Sequence, residues 1–110
     1  MKTNDELREQ MVEFRKVFSN EAKISDRLEK LISNKNLIGQ EEINSLEELR
    51  LNLVFGIDNL KISLEEAIID MRKNDSMTDD DRELTQEFIM LGDEAIRVSN
   101  KIITKIDMIV

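Results

Sequence analysis

The sequence predicts an all-α protein, an antiparallel up-down-up three-helix bundle of long amphipathic helices, and three observations carry that expectation. Proline is absent and glycine occurs only three times in 110 residues, too few turn-forming residues for a sheet-rich domain of this size. Apolar residues recur at steps of three and four along most of the chain, the spacing that gathers side chains on one face of a helix. Two short polar stretches, 33–36 and 74–78, interrupt the pattern and read as connections. Residues 1–110 are therefore expected to form a single helical domain, with helices over about 4–33, 40–73 and 78–108. The alternative architecture is a helical hairpin that completes its core by dimerisation.

The first helix is expected to start at Asn4 as its cap, with Asp5 and Glu6 beside the positive end of the helix dipole. Leu7, Met11, Phe14 and Phe18 form its seam, and Ile24, Leu28 and Leu31 continue it past a polar interruption at Glu21. Gly39 closes the first connection, and Glu41 and Glu42 open the second helix. The second seam runs Leu46, Leu49, Leu53, Ile57, Leu60, Leu64, Ala67 and Met71. Near its middle, Leu49, Leu51, Leu53, Val54, Phe55 and Ile57 wrap most of the helix circumference, which predicts burial on more than one side. The same residues alternate in a way that imitates a strand, but the helical seam continues on both sides of them. Gly56 weakens the helix there by about 1 kcal/mol relative to alanine.

Ser76 or Thr78 is placed to cap the third helix, with Asp79, Asp80 and Asp81 in its first turn. Leu84, Phe88, Leu91, Ala95, Val98, Ile102, Ile106 and Ile109 make the cleanest seam in the chain. Arg97, Lys101 and Lys105 lie towards its negative end.

Composition removes much chemistry. Cysteine and histidine are both absent, so thiolate nucleophiles, imidazole acid–base pairs and Cys/His zinc sites are excluded. The serines and threonines have no histidine base to activate them. The net charge of −8 disfavours contact with nucleic acid or with anionic membrane surfaces. No apolar run approaches the roughly 20 residues of a membrane span. The opening MKTNDELREQ lacks the hydrophobic stretch of a secretory signal, and the expected setting is cytoplasmic.

Carboxylates are the one candidate for metal or acid–base chemistry. Glu65, Glu66 and Asp70 invite comparison with helical nucleotide pyrophosphohydrolases, which hold Mg²⁺ on glutamate-rich helices. The spacing departs from the pattern of those enzymes: Ser45 stands at the third motif position after Glu41-Glu42, and Asp70 follows Glu66 one residue too late. Asp79-Asp80-Asp81 lacks the alternating ligands and glycine of a calcium loop. No catalytic residue, metal ligand, cofactor or small-molecule substrate is expected, and the chain reads as a non-enzyme.

Surplus apolar residues are the positive clue. Phe88-Ile89-Met90-Leu91 sets four large apolar side chains in succession, so some must turn away from the seam, and Ile103, Met108 and Val110 pose the same question. The expectation is a protein–protein interaction module, adaptor-like or chaperone-like, that binds another protein or a further copy of itself through apolar helix faces. Phe55, Phe88, Met90 and Ile106 are the expected anchors.

In size, charge and helical make-up the chain is similar to small helical proteins that accompany type VII secretion substrates. Their Trp-x-Gly turn has no counterpart here, the nearest string being Leu37-Ile38-Gly39. Phe88 and Asp93 are one residue further apart than in their export pattern. It is similar in size, too, to bacteriocin immunity proteins, which are antiparallel helical bundles. Either resemblance implies a protein partner, a toxin or a secretion substrate.

Overall fold

The computed structural model describes residues 2–110 and contains three α-helices, α1 (Asn4–Ser33), α2 (Gln40–Lys73) and α3 (Asp79–Asp107). A 3-10 turn over Lys35–Leu37 lies in the first connection, and the described residues include no strand. This is the expected all-α three-helix bundle. The alternating stretch near Leu51 lies inside α2, which runs unbroken through Gly56.

Cross-helix pairs fix the directions. Asn4 donates to Asp81 at 2.8 Å, Arg15 to Glu87 at 3.0 Å, Lys101 to Glu21 at 3.4 Å, and Lys105 reaches Glu29 at 3.0 Å. Early residues of α1 thus meet early residues of α3, and late meet late, so the two run parallel. Arg50 of α2 pairs with Asp107 at the far end of α3, at 2.6 Å, so α2 runs antiparallel to both. Glu21, read from sequence as an interruption of the seam, is the α1 end of one of these cross-helix pairs.

α3 is the central element and packs along both α1 and α2, whereas the backbones of α1 and α2 scarcely meet. The bundle is slender, 58 × 21 × 17 Å. Its core has two clusters. One gathers Leu7, Met11 and Phe14 of α1, Leu64 and Ala67 of α2, and Phe88 and Ala95 of α3. The other gathers Leu28, Leu46, Val98, Ile102 and Ile106, and Phe18 packs against both. The Phe14 and Phe88 rings lie 5.7 Å apart and tilted, a favourable aromatic arrangement.

Local chemistry explains the helix ends. Thr3, not Asn4, caps α1: its backbone is extended and its hydroxyl accepts from the Glu6 N–H at 3.2 Å. Asn4 already lies in the first turn, where its side chain is free to cross to Asp81. Thr78 caps α3 by accepting from the Asp81 N–H at 3.1 Å. Arg82 donates to the carbonyls of Met71 and Asn74 at 3.1 and 3.2 Å; the first is an acceptor that the last turn of α2 leaves free, and the second also accepts from the Met77 N–H. Among the described residues no helix is long and apolar enough to cross a membrane.

Candidate protein-interaction surface

The four expected anchors separate into two pairs. Phe88 and Ile106 have no exposed surface and lie in the two core clusters. Phe55 is 58% exposed and Met90 72% exposed. The seam logic that makes Phe88 and Ile106 conspicuous is the logic of a core position, and in the folded bundle neither side chain reaches the surface.

Burial around the middle of α2 is not what the sequence predicts. Leu51 and Phe55 point into solvent instead of into a second layer of packing. They belong to a longer feature, because Ile62 and Ile69 are also exposed, by 57% and 46%. At about 100° per residue, positions 51, 55, 62 and 69 fall within a narrow arc of the helix. The core-facing residues Leu46, Ile57, Leu64 and Ala67 fall on the opposite arc. α2 therefore carries two opposed apolar faces, one buried against α3 and one open. From Leu51 to Ile69 the stripe runs about 27 Å along the helix.

Acidic side chains border the stripe. Asp58 and Glu65 border the arc on one side, about 20° and 40° beyond the apolar residues, with Glu47 at the same angle as Glu65, and Glu48 and Glu66 border it on the other side. None of these five forms an ion pair among the described residues. A shallow groove between α2 and α3, lined by Ile68, Met71, Arg72, Gln86, Ile89 and Met90, adjoins the end of the stripe near Ile69. Sequence reasoning missed Leu51, Ile62 and Ile69 as a surface set. The signal is present in their spacing with Phe55, of four, seven and seven residues, but the strong inner seam of the same helix obscures it.

The carboxylates read as a metal candidate do not converge. Glu65 lies on the outer face of α2, while Glu66 and Asp70 line a small recess at one end of the bundle together with Asn4, Asn74 and Asp81. Asp81 is already engaged there: hydrogen bonds, first from Asn4 and then from Thr78, hold its carboxyl below the usual range. Among the described residues no group of three acidic side chains is placed to hold a metal ion.

A second opening, of about 340 Å³, lies where α1 and α2 stay apart. Ile24, Leu28 and Leu31 face Leu46 and Leu49 across it, and Arg27, Glu41 and Glu42 form its rim. Its floor shares Leu28 and Leu46 with the core.

Comparison with protein-family models, with curated proteins and with solved structures finds no match for this chain.

Proposed function

We propose that this protein is a non-enzymatic interaction module that binds another protein along the outer face of α2, with Met90 and the α2/α3 groove extending the contact. The observation that carries this reading is the open apolar stripe of Leu51, Phe55, Ile62 and Ile69, directly opposite a complete core-facing stripe on the same helix. Isolated apolar residues on a surface are ordinary, whereas an aligned set over about five helical turns gives a second helix a track to lie against. Seven-residue spacing from Phe55 to Ile62 to Ile69 is the repeat on which two helices wind around each other.

The test compares the wild-type chain with the double variant Phe55→Asp/Ile62→Asp as tagged baits in extracts of the native host. Both positions are exposed, so the variant should retain its helical circular dichroism and cooperative melting. A stoichiometric protein held by the wild type and lost by the folded variant supports the reading. Equal recovery by both baits, or none by either, overturns it.

A further inference from the structure

The outer face of α2 also specifies the charge of its partner. We propose that it binds an amphipathic helix bearing lysine or arginine along the edge of its apolar stripe, in register with Asp58 and Glu65. This inference rests on the interaction reading above and adds the chemistry of the occupant.

Asp58 lies three residues beyond Phe55 and four before Ile62, and Glu65 stands in the same relation to Ile62 and Ile69. Written as heptads, Phe55, Ile62 and Ile69 occupy one seam position, and Leu51, Asp58, Glu65 and Arg72 occupy the other. A helix that covers the apolar side chains must therefore also cover two carboxylates. Burying a carboxylate without an opposing charge is costly, and a cationic side chain at the facing position removes that cost. Glu47, Glu48 and Glu66 border the same track and extend its negative field.

A second copy of the chain is a poor occupant for the same reason. Parallel pairing of two α2 helices sets Asp58 against Asp58 and Glu65 against Glu65. Antiparallel pairing that seats Leu51 against Ile69 brings all four carboxylates into the middle of the contact, where only the two Lys61 side chains at its edge stand against them. Like charges at closely apposed positions oppose association. An anionic membrane surface meets the same repulsion. A basic amphipathic helix satisfies both the apolar residues and the carboxylates.

The probe is a synthetic helix of about 21 residues, long enough to span the stripe, with isoleucine at one seam position of every heptad and lysine at the other. A control peptide carries glutamate in place of each lysine. Binding to the full chain is read by fluorescence anisotropy across a salt series. The lysine peptide should bind, with affinity falling as salt rises, and the glutamate peptide should bind at least about ten-fold more weakly. Asp58→Lys/Glu65→Lys should invert that preference, and Phe55→Asp/Ile62→Asp should abolish both interactions. Circular dichroism of each variant establishes that the bundle is intact.

Equal binding of the two peptides, no binding of the lysine peptide, or a wild-type dimer that Phe55→Asp/Ile62→Asp dissociates would overturn the charge inference. The host-extract comparison separates this failure from failure of the interaction reading. A stripe-dependent partner that offers no basic helix defeats only the charge inference, whereas absence of any stripe-dependent partner defeats both.

Discussion

α3 and α2 are of similar length and lie side by side, yet they use their apolar residues differently. In α3 the seam from Phe88 through Ala95, Val98 and Ile102 to Ile106 is buried throughout, because neighbours cover it from two sides. In α2 the buried set is shorter (Leu46, Ile57, Leu64 and Ala67) and a comparable set faces solvent on the opposite side. The amount of apolar side chain in a helix therefore says little about how much holds the fold. Placement relative to the central helix decides it.

The sharpest way to break this contrast is to truncate one phenylalanine of each kind. Phe88 has no exposed surface and packs against Phe14, so Phe88→Ala should cost about 3–5 kcal/mol of stability. Phe55→Ala should change stability by no more than about 0.5 kcal/mol. Urea unfolding followed by circular dichroism measures both. Should Phe88→Ala leave too little stability for a clean transition, Phe88→Leu, expected to cost less than about 1.5 kcal/mol, keeps the comparison measurable. Similar losses at positions 55 and 88 would mean that the outer face of α2 is covered in the free protein.

Two glycines sharpen the contrast further. Gly92 is buried where α3 meets α2, and a Cβ there would lie 2.6 Å from Leu64 Cδ2. Leu64 is itself buried, so its side chain has little room to swing aside. Overpacking of this kind costs about 1–3 kcal/mol, partly offset by the better helix propensity of alanine. Gly92→Ala should therefore lower stability by about 1 kcal/mol in the wild-type background. In a Leu64→Ala background the obstruction is gone and the same change should raise stability. The same sign in both backgrounds would refute close packing at Gly92. At Gly56 a methyl group would meet nothing within 4 Å, so Gly56→Ala should stabilise by about 1 kcal/mol, a rise of about 4 °C in Tm.

The contrast also explains what is legible in the sequence. Three helices, both breaks and the core seams of α1 and α3 follow from period and composition, because a buried stripe must repeat at three and four residues. A hydroxyl cap for α3 at Ser76 or Thr78 follows from residue type, and the structure uses Thr78. The cap of α1 lies one residue earlier than expected, since Thr3 and Asn4 are both good caps and only the cross-helix bond from Asn4 to Asp81 distinguishes their roles. The candidate surface is half legible. Phe55 and Met90 stand out as surplus apolar residues, but Phe88 and Ile106 stand out with them, because sequence shows that a helix has an apolar stripe and not which neighbour covers it. The ion pairs of Lys101 and Lys105 with Glu21 and Glu29 join residues far apart in the chain, 80 positions in the case of Lys101, a relation no local pattern encodes.

The smallest expected effect concerns how the two helices begin. α2 starts at Gly39 with no side-chain cap, whereas α3 starts at Thr78 with a capping hydroxyl, and the Asp81 carboxyl of its first turn is fastened to α1 through Asn4. Hydrogen bonds from Asn4 and then from Thr78 lower the native pKa of Asp81. A carboxyl whose pKa is lower folded than unfolded adds stability above the unfolded value of about 3.9, and that contribution fades as pH falls through the native value. Asn4→Ala removes the leading cause, so its cost should be largest near neutral pH and should shrink on acidification towards about pH 2. Urea unfolding of wild type and Asn4→Ala across that range reads the difference directly. A gap that stays constant with pH would show that Asn4 contributes through packing alone, and that the start of α3 is no more firmly held by charge than the uncapped start of α2.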